Sequence, residues 1–355
     1  MGLVYSTAFF LSLALTLALT PFAIFLSRQF NVYDMPSRRK VHTRPIPRWG
    51  GIGIFLSCAL AVAAVILIFP SLKTGLFSYE LISSKSKFIG SVSIKTQLIG
   101  ILIGSIFIVA LGMRDDKKPV QAVTKLLIMI IAAYCTMDFG VRILGVSLPF
   151  GIRVNFLRNE FMVLLSQFIT VLWLIGFMNT INLADGLDGL AAGIVTIASA
   201  TFFVVSILMK PDNPDLAHQM QLSALLSVVV AGACLGFLFY NFNPAKVFLG
   251  DSGALFLGFM LASISIIGTL KTPLFISLLV PVLIVGLPVL DVLLSILRRL
   301  GKGQRIMDAD KDHIHHRLLK WGWTQKEVVL LMYVITLVLS VITITLTALK
   351  LGARI

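Results

Sequence analysis

Five short polar stretches interrupt an otherwise apolar chain, and their residue types suit a metal ion or a phosphate. In MRDDKKPV the adjacent carboxylates of Asp115 and Asp116 stand at the end of an apolar run, beside several cations. Such a pair suits a hard divalent ion, since Mg²⁺ takes oxygen ligands and keeps waters; a solvated turn reads the same way. NTINLADGLDGLAAG places Asn179, Asn182, Asp185 and Asp188 three residues apart where another apolar run breaks. On a helix that spacing puts neighbours close to one face, and Gly186 and Gly189 permit close backbone approach. Helix capping explains one or two of the four, not all.

NFNPAKVFLGDSG sets Asp251 between Gly250 and Ser252 immediately before a further run. A capped helix start is one reading; the other is a metal–phosphate site at a helix N-terminus, where the dipole favours an anion. The phosphate-loop pattern GxxxxGK[ST] is absent, so nothing points to an ATP-fuelled machine. DADKDHIHHRLL brings together His313, His315 and His316, three of the five histidines. HxHH is not HExxH and no Cys or Glu stands at a ligand spacing, so diphosphate and sugar hydroxyls match these imidazoles better than zinc.

The frame for these residues is a membrane. The 355 residues are 57% hydrophobic and 13% charged, with a mean hydropathy of +0.96. A soluble domain carries about 25% charged residues, and a disordered chain is far less hydrophobic. The net charge of +14 comes from short segments between apolar runs and not from one basic face, so no nucleic-acid partner is expected. Cys58, Cys135 and Cys234 lie inside apolar runs without a CxxC and read as small buried hydrophobes.

A bilayer core needs about 20 apolar residues per helix, and ten runs approach that size: 3–26, 50–69, 97–113, 122–139, 161–181, 189–209, 222–240, 254–270, 274–297 and 328–349. The first lacks a positive n-region and is read as a retained span; Pro281 and Pro288 are expected to kink the ninth. The fold class is therefore all-α, one polytopic integral domain over 1–355, with an active site formed by cytoplasmic loops. Loops after odd-numbered spans hold 19 of the 30 Lys and Arg, which places them in the cytoplasm and both termini outside. The candidate polar residues lie in those loops or at adjoining span ends. A transporter would place ionisable residues near the midplane on broken helices, so a membrane-surface enzyme is favoured.

In this order, DMPSRRKVHTRPIPRWGG (34–51), RDDKKPVQAVTK (114–125), NTINLADGLDGLAAG (179–193), NPAKVFLGDSG (243–253) and DKDHIHHRLL (310–319) resemble the polyprenyl-phosphate N-acetylhexosamine-1-phosphate transferase family. PRWGG and HIHHRLL look like the bacterial branch that starts teichoic-acid, O-antigen or related glycans. The resemblance implies transfer of GlcNAc-1-phosphate from UDP-GlcNAc to undecaprenyl phosphate at the plasma membrane, releasing UMP. It implies Mg²⁺, with Mn²⁺ as a substitute, held by Asn182 and Asp251. Asp115, Asp116 and Asp185 are implied as catalytic, with Asp115 as base or orienter for the lipid phosphate and Lys125 pairing with phosphate oxygens. Asn179, Asp188, Asn241 and Phe248 would serve the donor, Phe248 by stacking on uracil, and His313, His315 and His316 would close over the diphosphate and amino sugar. A homodimer is implied by the same analogy. The peptidoglycan branch, using UDP-N-acetylmuramoyl-pentapeptide, ranks second; a lipid-phosphate phosphatase and a lipid-linked sugar transporter are the readings from other classes.

Overall fold

The computed structural model describes residues 1–36, 44–82, 92–147, 153–209, 211, 213–268, 286 and 314–352. Apolar runs become helices here because, without water, the backbone must satisfy its own N–H and C=O groups. In chain order these are α1 (Gly2–Gln29), α2 (Gly50–Ile68), the single turn α3 (Ser71–Thr74), α4 (Ile94–Lys117), α5 (Ala122–Asp138), α6 (Glu160–Ala184), α7 (Leu190–Leu208), α8 (Pro214–Asn241), α9 (Gly250–Ile267), α10 (Ile314–Lys320) and α11 (Gln325–Gly352). Three antiparallel hairpins join them: β1 (Tyr33–Asp34) with β2 (Ile46–Pro47), β3 (Glu80–Ile82) with β4 (Val92–Ser93), and β5 (Gly145–Ser147) with β6 (Arg153–Asn155). The protein is an all-α polytopic membrane protein: α1, α2, α4, α6, α7, α8, α9 and α11 are each long and apolar enough to cross a bilayer.

Nine of the ten expected spans coincide with helices, the fourth being α5 with 17 residues. The expected ninth span, with Pro281 and Pro288, lies outside the described residues apart from Gly286. Two boundaries differ for a physical reason. Helix α8 begins at Pro214, eight residues before the apolar run, because Asn213 caps it by accepting from Asp215 N at 2.8 Å. Helix α4 runs on to Lys117, so Asp115 and Asp116 sit in its last turn and not in a loop. Asn179 and Asn182 are likewise on α6. Of the polar residues expected in loops or at adjoining span ends, these four are on helix ends.

At α1 packing follows membrane logic, with small polar residues inside and large apolar ones outside. On α1, Ser12, Thr16 and Thr20 are fully buried, while Phe10 and Phe25 are 65% and 59% exposed. The buried hydroxyls return to their own helix, Thr16 Oγ1 donating to Ser12 O at 2.9 Å and Thr20 Oγ1 to Thr16 O at 2.7 Å. Against this face α8 brings Gly232 and Gly236, a GxxxG pair. A Cβ at these positions would stand 2.4 Å from Phe9 O and 2.7 Å from Leu13 O.

Helix α9 is the central post. Every one of its residues is buried except Asp251, and it packs against α4 and α6. The alternation of spans brings the C-terminal ends of α1, α4, α6 and α8 to the same side as the N-terminal ends of α2, α5, α7, α9 and α11. Direct contacts confirm it: Gly51 N donates to Leu249 O at 3.0 Å, and Asn243 Nδ2 to Gln325 Oε1 at 2.8 Å.

Candidate active site at one end of the bundle

The site begins with the free N–H groups that any helix start presents. At α9 they are met by a side chain from another helix: Asp116 accepts from Asp251 N at 2.9 Å, Ser252 N at 3.2 Å and Ser252 Oγ at 3.0 Å. Its side chain is fully buried, and Arg48 Nε lies 3.4 Å from Oδ1. Gly250, at φ +70°, makes room; a Cβ there would fall 2.2 Å from Arg48 O and 2.6 Å from Asp116 Oδ2. Asp116 thus fastens the end of α4 to the start of α9 and sets where Asp251 stands.

Asp115, one residue earlier, closes the turn into α5 by accepting from Val120 N at 2.6 Å. Its other oxygen takes Lys125 Nζ at 2.9 Å. Lys125, in the first turn of α5, also donates to Asp251 Oδ2 and so bridges two carboxylates. From α6, Asn182 Nδ2 reaches Asp251 Oδ1 at 3.2 Å. Arg48 adds a second cation, NH2 lying 3.9 Å from Asp251 Oδ1 and NH1 3.8 Å from Asp34. Asp185, capping the end of α6, is pushed well above the usual carboxylate range by burial, reinforced by the charges of Asp251 and Asp116. It keeps its proton where an ordinary aspartate is ionised.

Among the described residues, Lys125 and Arg48 face the three carboxylates of Asp115, Asp116 and Asp251, which leaves negative charge in excess there. Phosphate anions would be repelled by such a cluster unless a cation entered with them. The donors are hard oxygens, and among the described residues no group of three or more His, Cys, Asp or Glu is arranged to hold a metal by itself. That set fits Mg²⁺, which binds through one or two carboxylates together with water and substrate phosphates. Asp251 and Asn182 would hold it.

A second, mostly neutral cluster lies alongside. Asn241, buried at 2% exposure, accepts from Gly189 N at 3.1 Å and donates to Val247 O at 2.9 Å. It joins the α6–α7 turn to the segment before α9. Asp188 Oδ2 accepts from Asn243 Nδ2 at 3.0 Å and Ala245 N at 3.1 Å. Phe248 is half-buried, its N–H bonded to Pro47 O at 2.8 Å and its carbonyl to Gly50 N at 3.0 Å.

Asp115, Asp116, Lys125, Asn182, Asp185 and Asp251 therefore converge, and Asp188, Asn241 and Phe248 form the adjoining wall. Asn179 stands apart: it is exposed, and its amide donates to Ile175 O of its own helix at 3.0 Å. His313 lies outside the described residues. His315 and His316 fall in α10, and their side chains are also outside them. Sequence reasoning overlooked Arg48, Ser252, Asn243 and Gln325. Arg48 carried a signal, standing two residues before the Gly50–Gly51 pair at which α2 meets α9; a Cβ on Gly51 would lie 2.1 Å from Gly253 N.

The fold and the cluster together define a polytopic helical membrane protein with carboxylates, a lysine and amides gathered at one end of the bundle. Residues 98–269 match the family described as Glycosyl transferase family 4. A Bacillus subtilis protein named "Probable undecaprenyl-phosphate N-acetylglucosaminyl 1-phosphate transferase" is 35% identical over 96% of this chain and 84% of its own. The decaprenyl-phosphate N-acetylglucosaminephosphotransferase of Mycolicibacterium smegmatis is 34% identical over 87% of this chain and 73% of its own. More distant is the phospho-N-acetylmuramoyl-pentapeptide-transferase of Bacillus velezensis, 29% identical over 94% of both chains. The chain belongs to the polyprenyl-phosphate N-acetylhexosamine-1-phosphate transferase family.

Proposed function

We propose that the protein transfers GlcNAc-1-phosphate from UDP-GlcNAc to undecaprenyl phosphate, giving undecaprenyl-diphosphate-GlcNAc and UMP on the cytoplasmic face of the plasma membrane. One observation carries this reading: the ends of α4, α5 and α6 all reach the single accessible carboxylate at the head of α9, through Asp115–Lys125–Asp251 and Asn182–Asp251. The reaction must bring two anionic phosphates together, and that cluster supplies oxygen ligands beside an ammonium held between two carboxylates.

An oxygen of the lipid phosphate attacks the β-phosphorus of the donor while the bond to the α-phosphate oxygen breaks and UMP leaves. Bound Mg²⁺, held by Asp251 and Asn182, would neutralise charge on the diphosphate and on the leaving UMP. Lys125 turns from Asp115 and Asp251 to the acceptor phosphate and lowers its repulsion. The acceptor is mostly dianionic at neutral pH, its second pKa being about 6. Asp115 therefore has little proton to remove and chiefly orients Lys125. Asp116 works through backbone, holding Asp251 and Ser252. Asp188, Asn241 and Phe248 seat the uridine, with the unbridged Oδ1 of Asp188 facing the base's imide.

The test incubates purified protein with Mg²⁺, undecaprenyl phosphate and radiolabelled UDP-GlcNAc or UDP-N-acetylmuramoyl-pentapeptide. UMP and a lipid diphosphate sugar with UDP-GlcNAc alone are expected. Turnover of the pentapeptide donor alone would move the protein to the peptidoglycan branch, and free phosphate without UMP would make it a phosphatase.

A further inference from the structure

The nucleotide-side cluster does not end at Asp188. Asn243 uses its amide nitrogen twice, donating to Asp188 Oδ2 at 3.0 Å and to Gln325 Oε1 at 2.8 Å. Gln325 opens α11, far along the chain from every motif above. Two turns further on, Tyr333 OH donates to Gly189 O at 2.5 Å, the residue directly after Asp188. Its ring lies where a side chain at Gly193 would be, with ring atoms 2.0 Å from a Cβ built there.

These polar ties sit on a separate apolar cluster. Leu187, Leu190 and Ile194 pack with Val328, Val329 and Met332 of α11, and Leu318 and Leu319 of α10 join them. The start of α11, joined by Leu318 and Leu319 of α10, is thus docked on the α6–α7 turn. A half-buried amide shared between a carboxylate and a glutamine is directional, so losing one acceptor frees Asn243 to turn and leaves Asp188 Oδ2 with the Ala245 N–H as its remaining donor.

We infer that Gln325 is a positioning residue for the nucleotide-sugar site, acting through Asn243 on the carboxylate of Asp188. This rests on the reading of the Asp188 turn as the seat of the uridine. The consequence falls on donor binding and not on the phosphoryl step, because none of these residues touches Asp115, Lys125 or Asp251.

The experiment is a double-mutant cycle on the full chain, with UDP as probe in equilibrium binding and UDP-GlcNAc in kinetics. Gln325→Met removes the acceptor at nearly constant volume in a helical position. It should raise the Kd for UDP and the KM for UDP-GlcNAc about fivefold while kcat stays within about twofold. Asp188→Ala should raise both further, and in that background Gln325→Met should add nothing. An additive double variant, or a Gln325→Met that leaves UDP affinity unchanged while Asp188→Ala weakens it, overturns the relay. An Asp188→Ala with parental UDP affinity overturns instead the seating of uridine on that turn.

Discussion

The two clusters at the active end are neighbours built from opposite chemistry. Around Asp251 the contacts are ionic apart from the Asn182 amide, draw on the ends of α4, α5, α6 and α9 with Arg48, and among the described residues leave more negative than positive charge. Around Asp188 they are amide and backbone hydrogen bonds, with one carboxylate among neutral partners. Charge is non-directional and suits phosphates that move during a reaction; neutral donors and acceptors are directional and suit a base that must be recognised and held. Under the proposed function, bond exchange would fall to the first cluster and selection of the donor to the second.

The largest expected effect breaks the ionic half. Asp251→Ala removes the carboxylate that three other groups address and should lower UMP release about 10³-fold, within the range for loss of a central electrostatic element. Asp115→Asn should cost markedly less, on the order of tenfold, since Lys125 keeps a neutral acceptor. UMP formation measured for both variants checks the order, and near-parental turnover of Asp251→Ala would remove it as a metal ligand.

Stability comes next. Asp116→Ala strips partners from Asp251 N, Ser252 N and Ser252 Oγ at a buried helix start, at a cost of about 3 kcal/mol. Thermal unfolding in detergent should show a clear drop in Tm; an unchanged Tm would mean that α9 does not depend on this cap.

A smaller effect concerns pH. Folding raises the proton affinity of Asp185, so the native chain keeps a proton that the unfolded chain releases. Stability from this group is full below the ordinary carboxylate range of about pH 4 and is lost as pH rises through the folded value. Asp185→Asn, uncharged throughout, should flatten the fall of Tm with rising pH, measured with EDTA present. Parallel profiles for parent and variant would contradict the shifted carboxyl.

Much of this was legible in the residues themselves. Apolar runs marked nine helices, and aspartates and asparagines at their breaks marked the end where the clusters form. What was hidden depends on pairings across the chain. Asp116 reads as one half of an acidic pair, yet its partners are the backbone of residues 251 and 252, which no local pattern reveals. Arg48 reads as a topology-setting charge until the glycines at 50 and 51 bring α2 against α9. Gln325 opens an apolar helix with no motif around it, and gains meaning only from docking on Asp188 through Asn243. The far-end hairpins β3–β4 and β5–β6 were missed because strands of two or three residues leave no periodicity to read.

The central claim is that an excess of carboxylate at the head of α9 admits the donor diphosphate only with a divalent cation. Equilibrium binding of UDP to the parent and to Asp251→Ala, each with Mg²⁺ and with EDTA, tests it most directly. Tight binding is predicted only for the parent with Mg²⁺. Equal UDP affinity in EDTA, or undiminished Mg²⁺-dependent binding by Asp251→Ala, would contradict it.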